Sequence, residues 1–221
     1  MPTVLLADRA FVRVAGRDAI SFIDGLVTCD MARPSENYGC LLTPEGKIAF
    51  DFLWTRIFHD PKFPDVPHLW LDCPRSLASN FVRQLIEYRR EENVVVEDIS
   101  SAFSVGASWD ARLQTKWRTY RDGRHKDLGH RFIVYGSPEQ QHRLQWRADP
   151  HLYEDLRTRL GVPKGGVDFA YGEVSPFEIG NACSNGLSGK KTHYIGFEKI
   201  AQLRSEGAGT LSGTHSKVSL P

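Results

Sequence analysis

The chain has 221 residues, 41% of them hydrophobic and 25% charged, so it is long enough to bury one large core or two small ones. Its 28 Lys and Arg against 27 Asp and Glu leave a net charge of +1, which excludes a long-range attraction to nucleic acid or to an anionic membrane. The first residues lack the basic region of a signal peptide, and no apolar run approaches the roughly 20 residues of a membrane-spanning helix. We therefore expect a cytoplasmic protein with no membrane partner.

The four cysteines, at positions 29, 40, 73 and 183, are scattered and form no C-x-x-C pair. Such spacing favours neither a structural zinc site nor a disulfide framework. We expect buried, reduced thiols and no bound metal.

The first elements predicted are a strand, a helix and a hairpin. Apolar and polar residues alternate over 11–16, as in a half-buried strand, and Asp18 is a candidate N-cap for a helix over 19–26. Two apolar runs within residues 40–54 flank a Pro-Glu-Gly turn signal at 44–46. This pattern predicts a β-hairpin.

Further strands and a second helix follow. Residues 69–71 indicate a strand, residues 77–88 have apolar positions at helical spacing, and 94–96 and 103–106 indicate two more strands. Strands and helices do not alternate regularly, so we predict an α+β fold with mixed or antiparallel sheets and packed helices.

The remaining chain is less regular. Residues 112–131 hold seven Lys or Arg against two acids, and 131–135 indicate a strand. Leucines at helical spacing over 152–160 predict a helix that ends at Gly161. The tail, residues 204–221, is weakly patterned, and we expect it to be poorly ordered. We predict a first α+β subdomain over 1–105, a second over 106–203, and then this tail.

Five segments in order resemble one known family. Residues 14–28 resemble a strand, G-x-D and F-L-x-x-L-x-T, and 41–52 are similar to L-L-T-P-Q-G-K followed by an acid. Residues 122–131 resemble D-P-R-x-x-x-L-G-W-R, 153–169 resemble the region before the family signature, and 191–198 resemble that signature, K-G-C-Y-x-G-Q-E. The family is YgfZ, of the glycine-cleavage T-protein superfamily, and the resemblance implies its folate-binding core.

The signature segment departs from the family at several positions. His193 stands where the family has cysteine, Phe197 replaces glutamine, and Gln202 replaces a following arginine. The residues after Gln202 do not resemble the family's C-terminal barrel, which we expect to be missing or truncated. If the family cysteine works through sulfur chemistry, the imidazole of His193 cannot replace its thiolate; if the cysteine only coordinates or donates a hydrogen bond, His193 can take its place.

The resemblance implies a tetrahydrofolate-binding protein that supports iron–sulfur cluster assembly or repair and thereby tRNA thiolation. Its partners would be folate and iron–sulfur enzymes, with no direct nucleic-acid contact. Two residues are candidates for catalysis and five for cofactor binding: His193 and Asp51, then Lys191, Tyr153, Arg9, Tyr194 and Glu198.

Several of these residues also have a structural interpretation. His193 is equally interpreted as a surface histidine, and Lys191 as a solvated lysine beside Lys190. Asp51 would suit proton transfer if it were buried, but we favour a solvent-facing orientation between its two phenylalanine neighbours. Tyr153 is either a stacking partner for a pterin ring or the first exposed residue of its helix.

The basic segment 112–131 allows RNA contact in principle, but with a net charge near zero we favour a solvated loop face. Two other functions remain open. One is a T-protein-like transferase of an aminomethyl group to tetrahydrofolate, which is weakened because Asp51 has no adjacent aspartate. The other is a diverged scaffold without catalysis.

Overall fold

The computed structural model confirms the α+β class. In the described part of the chain, two antiparallel sheets of five and four strands combine with four α-helices. The structure describes residues 2–57, 66, 68–109, 117–143, 146–180 and 186–207.

The larger sheet is built around the predicted hairpin. Gly46 takes a φ of 77° in the turn, a conformation that glycine adopts without strain. In spatial order the five strands are β3 (Tyr38–Leu42), β4 (Ile48–Ile57), β5 (His68–Pro74), β2 (Arg9–Ala15) and β6 (Val95–Asp98).

The smaller sheet contains two strands that no sequence pattern indicated. β1 and β8 have three residues each, and each pairs with a longer strand whose own pattern is clear. The spatial order is β1 (Val4–Leu6), β7 (Phe103–Ser108), β9 (His130–Tyr135) and β8 (Thr119–Arg121).

The four helices are α1 (Ala19–Leu26), α2 (Ala78–Tyr88), α3 (Pro150–Arg159) and α4 (Phe197–Ser205). Helices α1 and α2 pack on one face of the larger sheet through Phe22, Phe81 and their neighbours. The other face packs on the smaller sheet and on α3 around Phe11 and Trp70. The molecule is therefore layered as helices, larger sheet, then smaller sheet, with a hydrophobic core between the two sheets.

Helix boundaries are close to those predicted, but two details differ. Asp18 occupies the N-cap position of α1 without capping it, because its carboxylate accepts a hydrogen bond from the backbone N–H of Asn93 at 2.8 Å instead. Leu152 is 52% exposed, and Tyr153 and Leu156 form the buried face of α3. Gly161 ends α3 with a φ of 67°, as expected for its position.

The subdomain boundary between residues 105 and 106 stays a prediction; it falls inside β7, and β1 pairs with that strand. Helix α4 includes the first two residues of the predicted tail, and residues 208–221 lie outside the described part. No helix in the described ranges is long and apolar enough to cross a membrane.

Candidate functional site

Asp51 is buried between the sheets, and the solvent-facing orientation favoured from the sequence is wrong. Its neighbours Phe50 and Phe52 pack on Phe81 of α2, with ring centroids 4.8 and 5.6 Å away. Because side chains alternate along a strand, Asp51 faces the opposite side of β4. That side is covered by the rest of the protein, so Asp51 is only 3% exposed.

Two tyrosine hydroxyls donate hydrogen bonds to the Asp51 carboxylate. Tyr171 binds Oδ1 at 2.5 Å, and Tyr38 of the neighbouring strand binds Oδ2 at 3.3 Å. Burial, together with the nearby Asp51 charge, raises the pKa of Tyr171 far above its usual value. Tyr171 therefore remains a protonated donor at neutral pH.

The chain around Tyr171 is held in place by backbone contacts. The N–H of Gly172 donates to the carbonyl of Ile48 at 2.7 Å, and the N–H of Ile48 donates to Val174 at 2.9 Å. Gly165 leaves room for the phenol ring, because a Cβ there would lie 2.0 Å from the Tyr171 hydroxyl. These contacts fix Tyr171 over Asp51.

A second buried cluster begins at Asp72 on β5. Its carboxylate accepts hydrogen bonds from Arg9 Nε at 2.7 Å, from Arg131 Nη1 at 2.5 Å and from the Tyr120 hydroxyl at 2.9 Å. Arg9 Nη2 also donates to the Asp72 main-chain oxygen at 2.6 Å. Arg9 and Asp72 belong to the larger sheet and the other two residues to the smaller one, so these bonds join the sheets.

Asp122 is the second anion of the same cluster. Arg124 binds it through Nε at 2.9 Å and Nη2 at 2.7 Å, and Arg131 Nε binds it at 3.1 Å. The Tyr153 hydroxyl donates to it at 3.0 Å, which attaches α3. Although burial alone would raise it, the adjacent Arg124 and Arg131 guanidinium groups hold the pKa of Asp122 well below its usual range.

We call these seven side chains the arginine network: Arg9, Asp72, Tyr120, Asp122, Arg124, Arg131 and Tyr153. It contains three guanidinium groups and two carboxylates, all buried. Two of the candidate cofactor-binding residues, Arg9 and Tyr153, belong to it. The alternative that Tyr153 is an exposed helix residue is wrong, since it is 2% exposed.

The basic segment is only partly the solvated face that we expected. Arg118, Arg121 and Lys126 are exposed, while Arg124 and Arg131 are buried in the arginine network. Residues 112–116 lie outside the described part. The Asp-Gly-Arg motif at 122–124 was the available signal for Asp122 and Arg124, but Asp72, which binds Arg131, is remote in sequence.

The signature segment, residues 191–198, docks on the end of α1. Lys191 Nζ donates to the carbonyls of Val27 at 2.9 Å, Cys29 at 3.1 Å and Asp24, and lies 3.2 Å from the Asp24 carboxylate. The negative end of the helix dipole also favours a cation at this position. The Lys191 ammonium is therefore engaged by the protein itself.

Further along this segment, the side chains divide between core and solvent. Tyr194 is buried and packs edge-on against Phe197, with centroids 5.3 Å apart, while His193 and Glu198 are exposed. Gly196 lies against the β3–β4 turn, close to the Thr43 carbonyl. The two candidate catalytic residues are thus separated, Asp51 inside the core and His193 at the surface.

The described residues offer no metal centre and no accessible thiol. They contain no group of three or more His, Cys, Asp or Glu side chains placed to hold a metal. Cys29, Cys40 and Cys73 are free and buried, and burial raises the pKa of Cys29 to about 12. Cys183 lies outside the described part.

The surroundings of Asp51 have the chemistry that a pterin ring needs, a buried carboxylate beside aromatic side chains. Both carboxylate oxygens are already bonded to tyrosine hydroxyls. Because Asp51 is only 3% exposed, a ligand reaches its carboxylate only by displacing a group that covers it, such as the Tyr171 phenol.

No family model matches the chain. It is 26% identical to the iron–sulfur cluster assembly factor IBA57, mitochondrial, of Mus musculus and 27% identical to that of Homo sapiens, over 91% of this chain and 62% of each relative. The homologue from Dictyostelium discoideum is 22% identical over 92% of this chain and 59% of its own length. The chain thus spans about three fifths of the relatives it matches.

Among solved structures, the fold is similar to glycine cleavage system aminomethyltransferase T from Bartonella henselae. The TM-score is 0.69 at 14% sequence identity, over 93% of this chain and 63% of that one. The chain therefore has a T-protein-like fold. Membership of YgfZ itself and a cytoplasmic location stay predictions, since these relatives are named as mitochondrial.

Proposed function

We propose that this protein is an accessory factor in iron–sulfur cluster assembly. The observation that carries the proposal is the similarity, at 20–27% identity over about nine tenths of the chain, to proteins named as iron–sulfur cluster assembly factors. Its partners would be iron–sulfur enzymes, and tRNA thiolation would depend on it through such enzymes, without direct contact with RNA.

The buried thiols shape the role that we assign. Cys29, Cys40 and Cys73 are inside the core, and a protonated buried thiol is a poor metal ligand. The protein would therefore act on the assembly or repair of clusters held by its partners, without ligating a cluster through these three residues.

The proposal is tested by deleting the gene in its own host and measuring the specific activity of [4Fe–4S] enzymes relative to their protein level. We expect the activity per enzyme to fall, and to return when the full chain is supplied. Unchanged activity of every such enzyme under iron-limited and oxidative conditions would overturn the proposal.

We further propose that tetrahydrofolate binds beside Asp51 and replaces the Tyr171 hydroxyl. The family resemblance supports the choice of ligand, and the buried carboxylate with two exchangeable hydrogen-bond donors supports the place. The pterin N–H groups would donate to Asp51 as the tyrosine does now. The T-protein-like fold alone does not argue for transfer chemistry, because one fold hosts many activities.

Tryptophan quenching on titration with tetrahydrofolate tests this binding. Tyr171→Phe removes the competing donor, so we expect tighter binding, whereas Asp51→Asn removes the acceptor and should weaken binding roughly tenfold. A flat titration for the unaltered protein at millimolar ligand would reject folate binding and leave the proposed assembly role standing.

A further inference from the structure

A small cleft lies beside the arginine network, where the β1–β2 turn meets α3. Its basic side chains include four arginines that are each more than nine-tenths buried, so the protein holds them in place. The five basic residues that line the cleft are Arg9, Arg124, Arg131, Arg157 and Lys164.

Three of these arginines keep a terminal nitrogen without a hydrogen-bond partner among the described residues. Arg9 and Arg124 bind Asp72 and Asp122 through Nε and Nη2, which leaves each Nη1 free. Arg157 uses Nε and Nη1, which leaves Nη2 free. All three arginines line the cleft, and none of the three nitrogens is among the fully buried, unbonded side-chain atoms of the described residues.

The arginine side chains of the network line the cleft, whereas the carboxylates that pair with them do not. Asp72 and Asp122 have no side-chain exposure and stand behind the guanidinium groups. Two carboxylates line the cleft itself, Asp8 and Glu154, and Lys164 Nζ lies 2.8 and 2.9 Å from them. The lining thus has five basic side chains against two acidic ones.

We propose that this cleft binds one small oxyanion, a phosphate or carboxylate group. The planar guanidinium fork suits the paired oxygens of these groups, and donors already fixed by buried carboxylates lose little entropy on binding. The space within the cleft is far too small for a whole drug-sized ligand, so a single anionic group is the occupant. This inference stands apart from the proposed assembly role.

The test is a titration of the full chain with inorganic phosphate, with succinate, and with chloride at matched ionic strength. We expect phosphate or succinate, but not chloride, to raise the midpoint of thermal unfolding by about 3–6 °C at roughly ten times its Kd. The better of the two identifies the oxyanion class, and calorimetry gives its Kd. If neither oxyanion stabilises the chain more than chloride does, the proposal fails.

Three variants place the binding. Lys164→Gln leaves Asp8 and Glu154 without their cation, so we expect oxyanion affinity to fall roughly tenfold; Arg124→Lys loses its free Nη1 and should do the same. Arg121→Gln removes an exposed charge on β8 and should bind as the unaltered chain does. Undiminished binding by Lys164→Gln, whose side chain is 26% exposed, or an equal loss in Arg121→Gln, would overturn the proposal.

Discussion

Asp51 is a buried carboxylate whose two hydrogen-bond donors are neutral phenols. Hydrogen bonds to an ionised acceptor are stronger than neutral ones, and a buried carboxylate that loses a donor keeps its desolvation cost. The shorter contact, from Tyr171 at 2.5 Å, should therefore stabilise the fold more than the contact from Tyr38 at 3.3 Å.

We predict that Tyr171→Phe lowers the free energy of unfolding by about 1.5–3 kcal/mol and Tyr38→Phe by about 0.5–1.5 kcal/mol. Urea unfolding of the two variants measures both values. Combining Tyr171→Phe with Asp51→Asn isolates the pairwise coupling. Additive effects in that cycle would mean that Tyr171 acts by packing alone, without a hydrogen bond to Asp51.

At the scale of elements, the signature segment depends on the close approach of Gly196 to the β3–β4 turn. Gly196 has a φ of 80°, and a Cβ there would lie 2.6 Å from the Thr43 carbonyl oxygen. Gly161 at the end of α3 has a similar φ of 67°, but a Cβ there would have no neighbouring atom within 4 Å. The two glycines thus share a backbone conformation and differ in what an added Cβ would contact.

We expect Gly161→Ala to cost about 1–2 kcal/mol, the penalty of a left-handed backbone, and Gly196→Ala to cost about 2–4 kcal/mol because the turn must also shift. Chemical denaturation compares the two, and hydrogen exchange should locate the extra loss in α4 and the signature segment. Equal costs would argue that the docking of this segment onto the turn contributes nothing to stability.

Local patterns predicted most elements, because the hairpin and helices α1 and α2 carry their own periodicity and turn signals. Strands β1 and β8 were missed because three residues hold no period, and partners that lie far along the chain create them. The site was harder for the same reason. Arg131 and Asp72 are 59 residues apart, and no local pattern pairs them.

Asp51 illustrates a different limit of sequence reasoning. The alternation in β4 correctly separates it from Phe50 and Phe52, but alternation says nothing about what covers the second face. In this fold a second sheet and the segment that carries Tyr171 cover it. A solvent-facing prediction follows only for a sheet with one free face.

Over the whole molecule, the arginine network joins the two sheets and α3 through ionised groups. A carboxylate whose folded pKa is depressed stabilises the fold above its unfolded pKa and loses that contribution as the pH falls. The pKa of Asp122 is held low by Arg124 and Arg131 against the effect of burial. Acid should therefore weaken the contact between the two sheets and the attachment of α3 together.

We predict that the free energy of unfolding falls progressively below about pH 4, near the unfolded pKa of aspartate, in a single transition seen by both far-UV and near-UV circular dichroism.

Asp122→Asn should cost about 3–5 kcal/mol at pH 7, since it leaves buried guanidinium charge uncompensated, and should flatten the fall below pH 4. Asp155→Asn, an exposed change on α3, serves as the control and should alter neither. An unchanged acid slope in Asp122→Asn would show that other carboxylates control acid unfolding, and separate transitions for the two probes would show that the network does not couple the layers.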